Sequence, residues 1–297
     1  MVLKYESIYY YELLDWINPV NLHWNELSRN LNAINLLETY AEKVDWNEIS
    51  TNPIAIQLLE RNSEKINWSL VSGNPNAIDL LEKNPEKINW SWLSYNLSAK
   101  ELLEKNPEKI DWCILSGNPN AIDLLEENIE KIDWFEFSRN RNAIHILEKY
   151  PENICWNLLS LNPNGIDLLE KNQEKIDWAY LSGNPNGVEL LKKNFEKINW
   201  SWLSLNENAM ELLEEYPERI DWAMLSTNEN AMRLLEKNQE KISWYFLSEN
   251  PGIFTPKINY EYLKDRMDII REELIMKCMH PSRLERWLET GGDIDDF

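Results

Sequence analysis

The sequence predicts an all-α fold: an α-solenoid of 22-residue two-helix repeats with atypical capping segments at both ends. The first observation is a tryptophan that recurs every 22 residues without a slip, because a fixed period of 20–50 residues is typical of a repeat array. The second is that serine and asparagine follow each tryptophan at fixed spacing. The third is the segment A-I-x-L-L-E-K, which is strongly helix-forming. The recurring tryptophans are Trp24, Trp46, Trp68, Trp90, Trp112, Trp134, Trp156, Trp178, Trp200, Trp222 and Trp244.

Each copy begins with a short helix that we call helix one. Counted from its tryptophan as position 1, the repeat reads W-x-x-L-S-x-N-P-N-A-I-[DE]-L-L-E-K-N-P-E-K-I-[DN]. In the copy that starts at Trp112, Asp111 is a good N-cap, and Ile110 and Leu115 have the spacing of a hydrophobic staple. This pattern predicts a helix from Trp112 to about Gly117.

A second helix, helix two, follows in each copy. Asn118 is expected to cap it, and Pro119 suits its first position because the N–H that proline lacks has no partner there. The helix is expected to end near Asn128, and in other copies a proline blocks continuation. Exposed positions 12 and 16 predict ion pairs within the helix, as in Asp79–Lys83, Glu101–Lys105, Asp167–Lys171 and Glu189–Lys193.

A helical wheel assigns the faces of both helices. On helix one, positions 1, 4 and 5 point toward the core, and positions 3 and 6 point away. On helix two, positions 10, 11, 13 and 14 form the apolar stripe. We therefore expect each tryptophan to pack between neighbouring layers of an elongated array. The recurring serine is expected to bond to backbone, and the recurring asparagine is expected to be a helix cap.

A leucine-rich repeat is the competing fold, since its period can also be about 22 and it also uses asparagine. That fold needs an L-x-L strand with alternating burial. Here the leading segment has W-x-x-L spacing with serine after leucine, and the following segment favours helix. The pattern therefore favours the α-solenoid.

Both ends depart from the repeat, as array caps do. We predict an N-terminal cap or degenerate repeat over 1–23, with Tyr9, Tyr10, Tyr11 and Trp16 covering the first layer. Residues 24–251 hold ten full repeats and the start of an eleventh, and 252–297 form a C-terminal helical cap and acidic tail. The cap should contain one long helix from Asn259 to about Cys278 with an apolar stripe, then a short helix after His280-Pro281. The stripe is Leu263, Met267, Ile270 and Leu274, and the short helix would turn Leu284, Trp287 and Leu288 inward.

The units of the type N-P-N-A-I-D-L-L-E-K-N-P-E-K-I-D-W, with the closing segment Y-E-Y-L-K-D-R-M-D-I-I-R-E-E-L and then H-P-S-R-L-E-R-W, resemble the tandem-repeat proteins abundant in giant viruses. The resemblance covers roughly residues 18–287. It implies a viral origin and a location in host cytoplasm or the virion. It implies no catalytic residues.

Composition narrows the classes of partner. The net charge is −21, from 51 acids and 30 bases, which disfavours nucleic acid and suits a basic or neutral protein partner. No apolar run approaches the roughly 20 residues that a membrane helix needs. We see no signal peptide, so we expect a cytoplasmic, not a secreted, protein. The three cysteines, Cys113, Cys155 and Cys278, match no zinc or disulfide pattern.

Catalytic chemistry is not indicated by any motif. The three histidines, His23, His145 and His280, lie far apart, and no phosphate-binding or metalloprotease motif occurs. The recurring serine has no periodic histidine beside it to act as a base. We therefore predict no enzymatic activity, no cofactor and no metal site.

Position 3 of helix one carries the candidate partner-binding residues, because it points away from the core and yet is apolar in most copies. The alternative is that position 3 packs on the second helix of the adjacent repeat. We predict a protein-interaction scaffold that is a monomer or weak oligomer, or, alternatively, a structural or self-assembling virion component. The candidates, with Tyr95 from position 6, are Leu70, Trp92, Tyr95, Ile114, Leu158, Tyr180, Trp202, Met224 and Phe246.

Overall fold

The protein is described by a computed structural model that covers residues 8–278, His280 and Arg283. It contains two compact units. One runs from Leu13 to Phe254 and holds the repeats, and the other is formed by the described residues before and after that range. The short helix predicted after His280-Pro281 and the acidic tail lie outside the described residues.

The compact unit that holds the repeats is an all-α solenoid, as the sequence predicts. Helix one of copies 1 to 11 spans Trp24–Arg29, Trp46–Thr51, Trp68–Ser72, Trp90–Tyr95, Trp112–Ser116, Trp134–Ser138, Trp156–Leu161, Trp178–Gly183, Trp200–Leu205, Trp222–Leu225 and Trp244–Glu249. Helix two of copies 1 to 10 spans Ile34–Thr39, Ile56–Arg61, Ile78–Glu82, Lys100–Glu104, Ile122–Glu126, Ile144–Leu147, Ile166–Lys171, Val188–Lys192, Met210–Glu215 and Met232–Glu236. These copies contain helices where a leucine-rich repeat would place a strand.

Each copy also contains a single-turn 3₁₀ helix at positions 18–20, such as Pro107–Lys109, which carries the chain to the next cap. Helix two begins later than predicted, at position 11. In the fifth copy, for example, Asn118 caps a separate turn, Pro119–Ala121, and α-helix starts at Ile122. The proline thus starts a turn and not the helix itself. The repeat therefore has two α-helices and a 3₁₀ turn within 22 residues.

The core lies between the two helix layers. In the fifth copy Leu115, Ala121 and Leu125 are buried, from positions 4, 10 and 14. Ile110, from the last turn before the copy, is buried as well. Burying one such side chain stabilises the fold by about 1.5–3 kcal/mol. In this copy positions 4, 5, 10 and 14 are therefore confirmed as core, whereas Trp112, Ile122 and Leu124, from positions 1, 11 and 13, are half-buried.

The recurring serine joins consecutive copies. Ser116 Oγ donates a hydrogen bond to the carbonyl of Trp112 at 2.7 Å, and it accepts one from the N–H of Asp133 at 2.9 Å. Asp133 is the N-cap of the next helix one. The hydroxyl is thus fully used by backbone groups, as predicted.

The recurring asparagine forms a ladder between copies. Asn140 Nδ2 donates to the carbonyls of Ser116 and Asn118 in the preceding copy, both at 3.0 Å. Its Oδ1 accepts the N–H of Asn142 at 3.0 Å, which is the predicted cap. The side chain is 1% exposed, so these carbonyls reach no water. The amide therefore satisfies three backbone groups, two of which the cap prediction did not include.

The ladder also connects the last copy to the first. Asn30 Nδ2 donates to the carbonyls of Ser248 and Asn250 at 3.0 and 2.9 Å. The N–H of His23 donates to Ser248 Oγ at 2.9 Å. Helix one of copy 1 packs directly beside helix one of copy 11. The eleven copies together therefore form a closed ring, and the expectation of an elongated array is wrong.

Closure follows from the shape of the repeat. Helix one of each copy lies close to helix one of its neighbours, whereas second helices of neighbouring copies are farther apart. A repeat that is narrower on its helix-one side turns the array by a constant angle at each step. Eleven steps complete one turn, so the bonds that link consecutive copies also link the ends.

The copy that closes the ring, copy 11, is assembled from two segments that lie far apart in the sequence. Copy 11 has its own helix one, but the chain leaves the repeat pattern after Ile253. The N–H of Leu14 donates to the carbonyl of Ile253 at 2.9 Å, and Ile17 and Leu22 are buried. A 3₁₀ turn over Pro19–Asn21 then leads into the first copy. Residues 14–23 therefore stand in for the second half of copy 11.

The structure also contains two strands that the sequence did not predict, and they form one two-stranded sheet. Strand β1 (Tyr9–Leu13) pairs with strand β2 (Phe254–Ile258). The pairing is antiparallel, because Leu14 bonds to Ile253 and Asn259 bonds to Ile8. Tyr9, Tyr10 and Tyr11 thus lie in a strand, which the sequence did not predict. β-branched and aromatic residues at both segments favour this extended pairing.

The predicted long helix is confirmed as Tyr260–Cys278, which we call the C-terminal helix. Its predicted apolar stripe is not buried: Met267, Ile270 and Leu274 are 62%, 41% and 55% exposed. No described helix is both long and apolar enough to cross a membrane.

Most ion pairs on the second helices run between copies, although Lys100–Glu104 and Lys192–Glu189 lie within one helix. None of the four predicted pairs is among those within a helix. Lys83 Nζ lies 3.9 Å from Glu60, and Lys193 Nζ lies 3.6 Å from Glu170, one copy back in each case. Their predicted partners, Asp79 and Glu189, are in the same helix as the lysine. Long side chains can span the wider gap between second helices, so neighbouring copies compete for the same lysine.

Candidate functional site

Helix one of each copy lies on the inner circumference of the ring. In any closed ring, equivalent elements are closest at the smaller radius, and here the first helices are the closer set. Eleven helices spaced about 8–10 Å apart place their axes on a circle about 30 Å across, and side chains leave an opening of about 20 Å. The side of helix one that points away from helix two therefore faces this opening.

Positions 2, 3 and 6 of helix one form this surface, which we call the inner face. On a helical wheel these three positions cluster opposite the buried positions 4, 5 and 7. Most of its residues are apolar, aromatic or small, although the chain carries a charge of −21. The charged residues of the inner face are Glu26, Arg29, Glu48, Glu136, Arg139 and Glu249.

The predicted position-3 residues all lie on this face, and most of them are half-buried. Trp92 and Trp202 contact position 6 of the preceding helix one, a neighbour that the alternative of packing on an adjacent helix two did not include. Trp202 covers Gly183, where an added Cβ would lie 2.9 Å from Trp202 Cε3, and Tyr180 meets Trp202 edge-on with ring centroids 5.3 Å apart. The half-buried candidates are Leu70, Ile114, Leu158, Tyr180, Trp202, Met224 and Phe246.

Trp92 and Tyr95 are the two candidates with large exposed area, at 42% and 53%. They border a shallow groove of about 250 Å³ that continues onto Cys113, Ile114 and Arg139. Trp92 is held in place because it rests on Gly73, where a Cβ would lie 3.2 Å from the indole. The groove therefore offers an aromatic wall that a partner side chain can contact.

The sequence analysis did not predict two exposed aromatic residues of the inner face. Phe135 is 58% exposed and Tyr245 is 47% exposed, and both occupy position 2. On the wheel, position 2 lies about 40° from position 6, so the same projection that selected Tyr95 includes it. Their absence from the prediction came from counting only positions 3 and 6.

The periodic tryptophans have a structural role. Each is half-buried, and in most copies a lysine from position 20 of the same repeat lies over the ring. Lys87 Nζ, for example, is 4.2 Å from the Trp68 ring centroid. Such a cation–π contact contributes about 0.5–1 kcal/mol at an exposed site. The tryptophan column is thus covered and does not form a free aromatic ladder.

Charge on the inner face concentrates where the ring closes. Arg29 pairs with Glu48 and with Glu26, and Glu249 lies in the same cluster. Burial raises the pKa of the Glu249 carboxyl, Arg29 opposes this, and Glu26 and Glu48 add to it. Three carboxyl groups share one guanidinium, so this part of the face is acidic. In the groove beside Trp92, Glu136 is paired with Arg139 at 2.6 Å.

No protein-family model, curated protein or solved structure matches the chain. Across the residues that the structure describes, no group of three or more histidine, cysteine or carboxylate side chains is arranged to hold a metal ion.

Proposed function

We propose that the protein is a non-enzymatic interaction scaffold that binds an apolar protein segment on the inner face of its ring. The observation that supports this is the exposed aromatic wall of Trp92 and Tyr95 on an otherwise strongly acidic protein. Tryptophan and tyrosine are the residues most often found to dominate binding energy at interfaces. A repeat array commonly presents such a concave surface to partners.

The charge of the chain sets the expected chemistry of the partner. An acidic surface attracts and steers basic segments, and it disfavours nucleic acid, whose phosphates need lysine and arginine. We infer a peptide or protein segment that combines apolar anchors with lysine or arginine. From the resemblance of the repeats, we further propose a viral protein that acts in host cytoplasm or the virion.

The test is to select peptides from a displayed random library against the full chain and compare variants. Trp92→Ala combined with Tyr95→Ala should weaken the selected peptides at least tenfold, because two anchors near the centre of the site are lost. Ile54→Ala is the matched control: Ile54 is 53% exposed but occupies position 9, outside the inner face. Helical circular dichroism should be the same for all variants.

Failure to enrich any peptide would contradict the proposal, as would equal binding by the double variant. A loss of the same size in Ile54→Ala would place the binding surface elsewhere. The alternative function, a self-assembling virion component, has its own support in the exposed C-terminal helix.

A further inference from the structure

The C-terminal helix carries an apolar stripe that the described residues leave open. Leu263, Met267, Ile270 and Leu274 follow one another at intervals of three and four residues, so they lie along one side of the helix. Three of them are at least 41% exposed, although soluble proteins rarely expose a contiguous row of large apolar side chains. The stripe therefore has the form of a helix face that docks on a partner.

Positive charge borders this stripe on both sides. On a wheel of 100° per residue, Lys264 and Arg271 lie along one edge, and Arg266 and Lys277 lie along the other. All four are exposed. Of the acids, Glu261, Asp265, Asp268 and Glu272 cluster on a separate side of the helix, and Glu273 lies beside Arg266 at the second edge. The surface that accepts this stripe should therefore be apolar and acidic.

Pairing of two C-terminal helices through the same stripe does not meet this requirement. In such a coiled coil the border residues of one helix face those of the other, and here four of the five charged border residues are basic. Like charges in those positions oppose association. The stripe is therefore better matched to a surface other than itself.

The inner face contains one region with the required chemistry, which we call the seam patch: Tyr245, Phe246, Glu26, Glu48 and Glu249. Tyr245 is 47% exposed and offers an apolar contact. The three carboxyl groups share Arg29, so the cluster has an excess of negative charge. Glu26 is buried, and Glu48 and Glu249 are the half-buried carboxyl groups that a partner can reach. The opening of about 20 Å admits a helix, whose diameter with side chains is about 10–12 Å.

We propose that the C-terminal helix of one molecule docks on the seam patch of a second copy of this chain. The stripe contacts Tyr245 and Phe246, and the bordering lysines and arginines approach Glu48 and Glu249. This inference rests on the proposed role of the inner face in binding protein segments. The contact is heterologous, because two different surfaces meet, and it links molecules head to tail.

Sedimentation of the full chain at low salt tests this proposal. The wild type should associate as its concentration rises, and the association should weaken at high salt. Two variants should be monomeric: Met267→Glu with Ile270→Glu, and Tyr245→Ala with Glu249→Gln. A mixture of the two variants should form a one-to-one complex, because each supplies the surface that the other lacks.

Two controls separate this contact from the groove beside Trp92 and from general changes in the helix. Ile269→Glu with Met276→Glu alters the opposite side of the C-terminal helix and should associate as the wild type does. Trp92→Ala with Tyr95→Ala should also associate normally, although it should lose the peptides selected on the groove. Circular dichroism verifies that each variant is folded.

A wild type that stays monomeric at all concentrations would overturn the proposal, while peptide binding at Trp92 would still stand. Variants that associate normally would overturn it too. If mixing the two monomeric variants restores nothing, the contact is not between these two surfaces. Binding of anionic vesicles by the helix, in place of self-association, would also contradict it.

Discussion

Asn140→Ala should lower the free energy of unfolding by about 3–5 kcal/mol. The substitution leaves the carbonyls of Ser116 and Asn118 buried without a donor, and each such group costs about 1–3 kcal/mol. It also removes the acceptor for the N–H of Asn142. Because the loss lies between copies 5 and 6, it weakens an interface on which both depend. Denaturant unfolding followed by circular dichroism measures the change.

Asn142→Ala is the matched control, two residues away. Asn142 also bonds to a carbonyl of the preceding copy, Pro119 at 2.9 Å, but it is exposed, so water can replace the lost donor. We expect a cost below about 1 kcal/mol. Equal effects at the two positions would contradict a ladder whose importance comes from burial.

Phe137→Ala should cost about 3–5 kcal/mol, the usual range for a buried phenylalanine. Phe137 occupies position 4, where most copies have leucine, and it is fully buried. Its ring meets Trp134 edge-on, with centroids 5.7 Å apart. Alanine therefore leaves a cavity in the core and removes an aromatic contact. Thermal and denaturant unfolding measure the loss.

Two further variants interpret this result. Phe135→Ala removes the same side chain from the same helix where it is 58% exposed, and we expect a change within about 0.5 kcal/mol. Phe137→Leu restores the residue type of the other copies and should cost less than about 1.5 kcal/mol. A large effect of Phe135→Ala would mean that position 2 belongs to the core.

The structure of one repeat could be predicted because the same apolar positions and the same capping residues recur in each copy. Periodic leucine and alanine predicted positions that form the core, and the cap at Asp111 predicted where helix one begins. The hydrogen bonds from Ser116 to backbone groups could be predicted because a serine at the end of a short helix is placed to make them. The later start of helix two could not be predicted, because an asparagine followed by a proline can begin either a helix or a single 3₁₀ turn.

Closure of the ring could not be predicted because it depends on the angle between copies. That angle depends on how far the two helix layers are spread, which no single residue determines. The clue was present at the ends: Leu14 to His23 resemble the second half of a repeat, and copy 11 stops after its first half. Matching the two fragments would have suggested that they complete one copy.

For the inner face, the sequence predicted the positions but not their exposure. Position 3 was correctly placed away from the core, yet Trp202 is half-buried because Gly183 lets it settle on the neighbouring helix. Trp92 rests on Gly73 in the same way and remains 42% exposed. Such differences arise from the neighbours in adjacent copies, which are known only once the register between copies is known.

The closed ring is tested most directly by one distance between spin labels across the seam. Labels at Asn25→Cys and Tyr245→Cys, with the native cysteines replaced by serine, occupy position 2 of copies 1 and 11. A matched pair at Ser69→Cys and Ser91→Cys occupies position 2 of two consecutive copies. A closed ring predicts the same short distance for both pairs, because adjacent helix axes lie about 8–10 Å apart. A seam distance much longer than the control, of the order of 80–100 Å for a straight array of that spacing, would contradict closure.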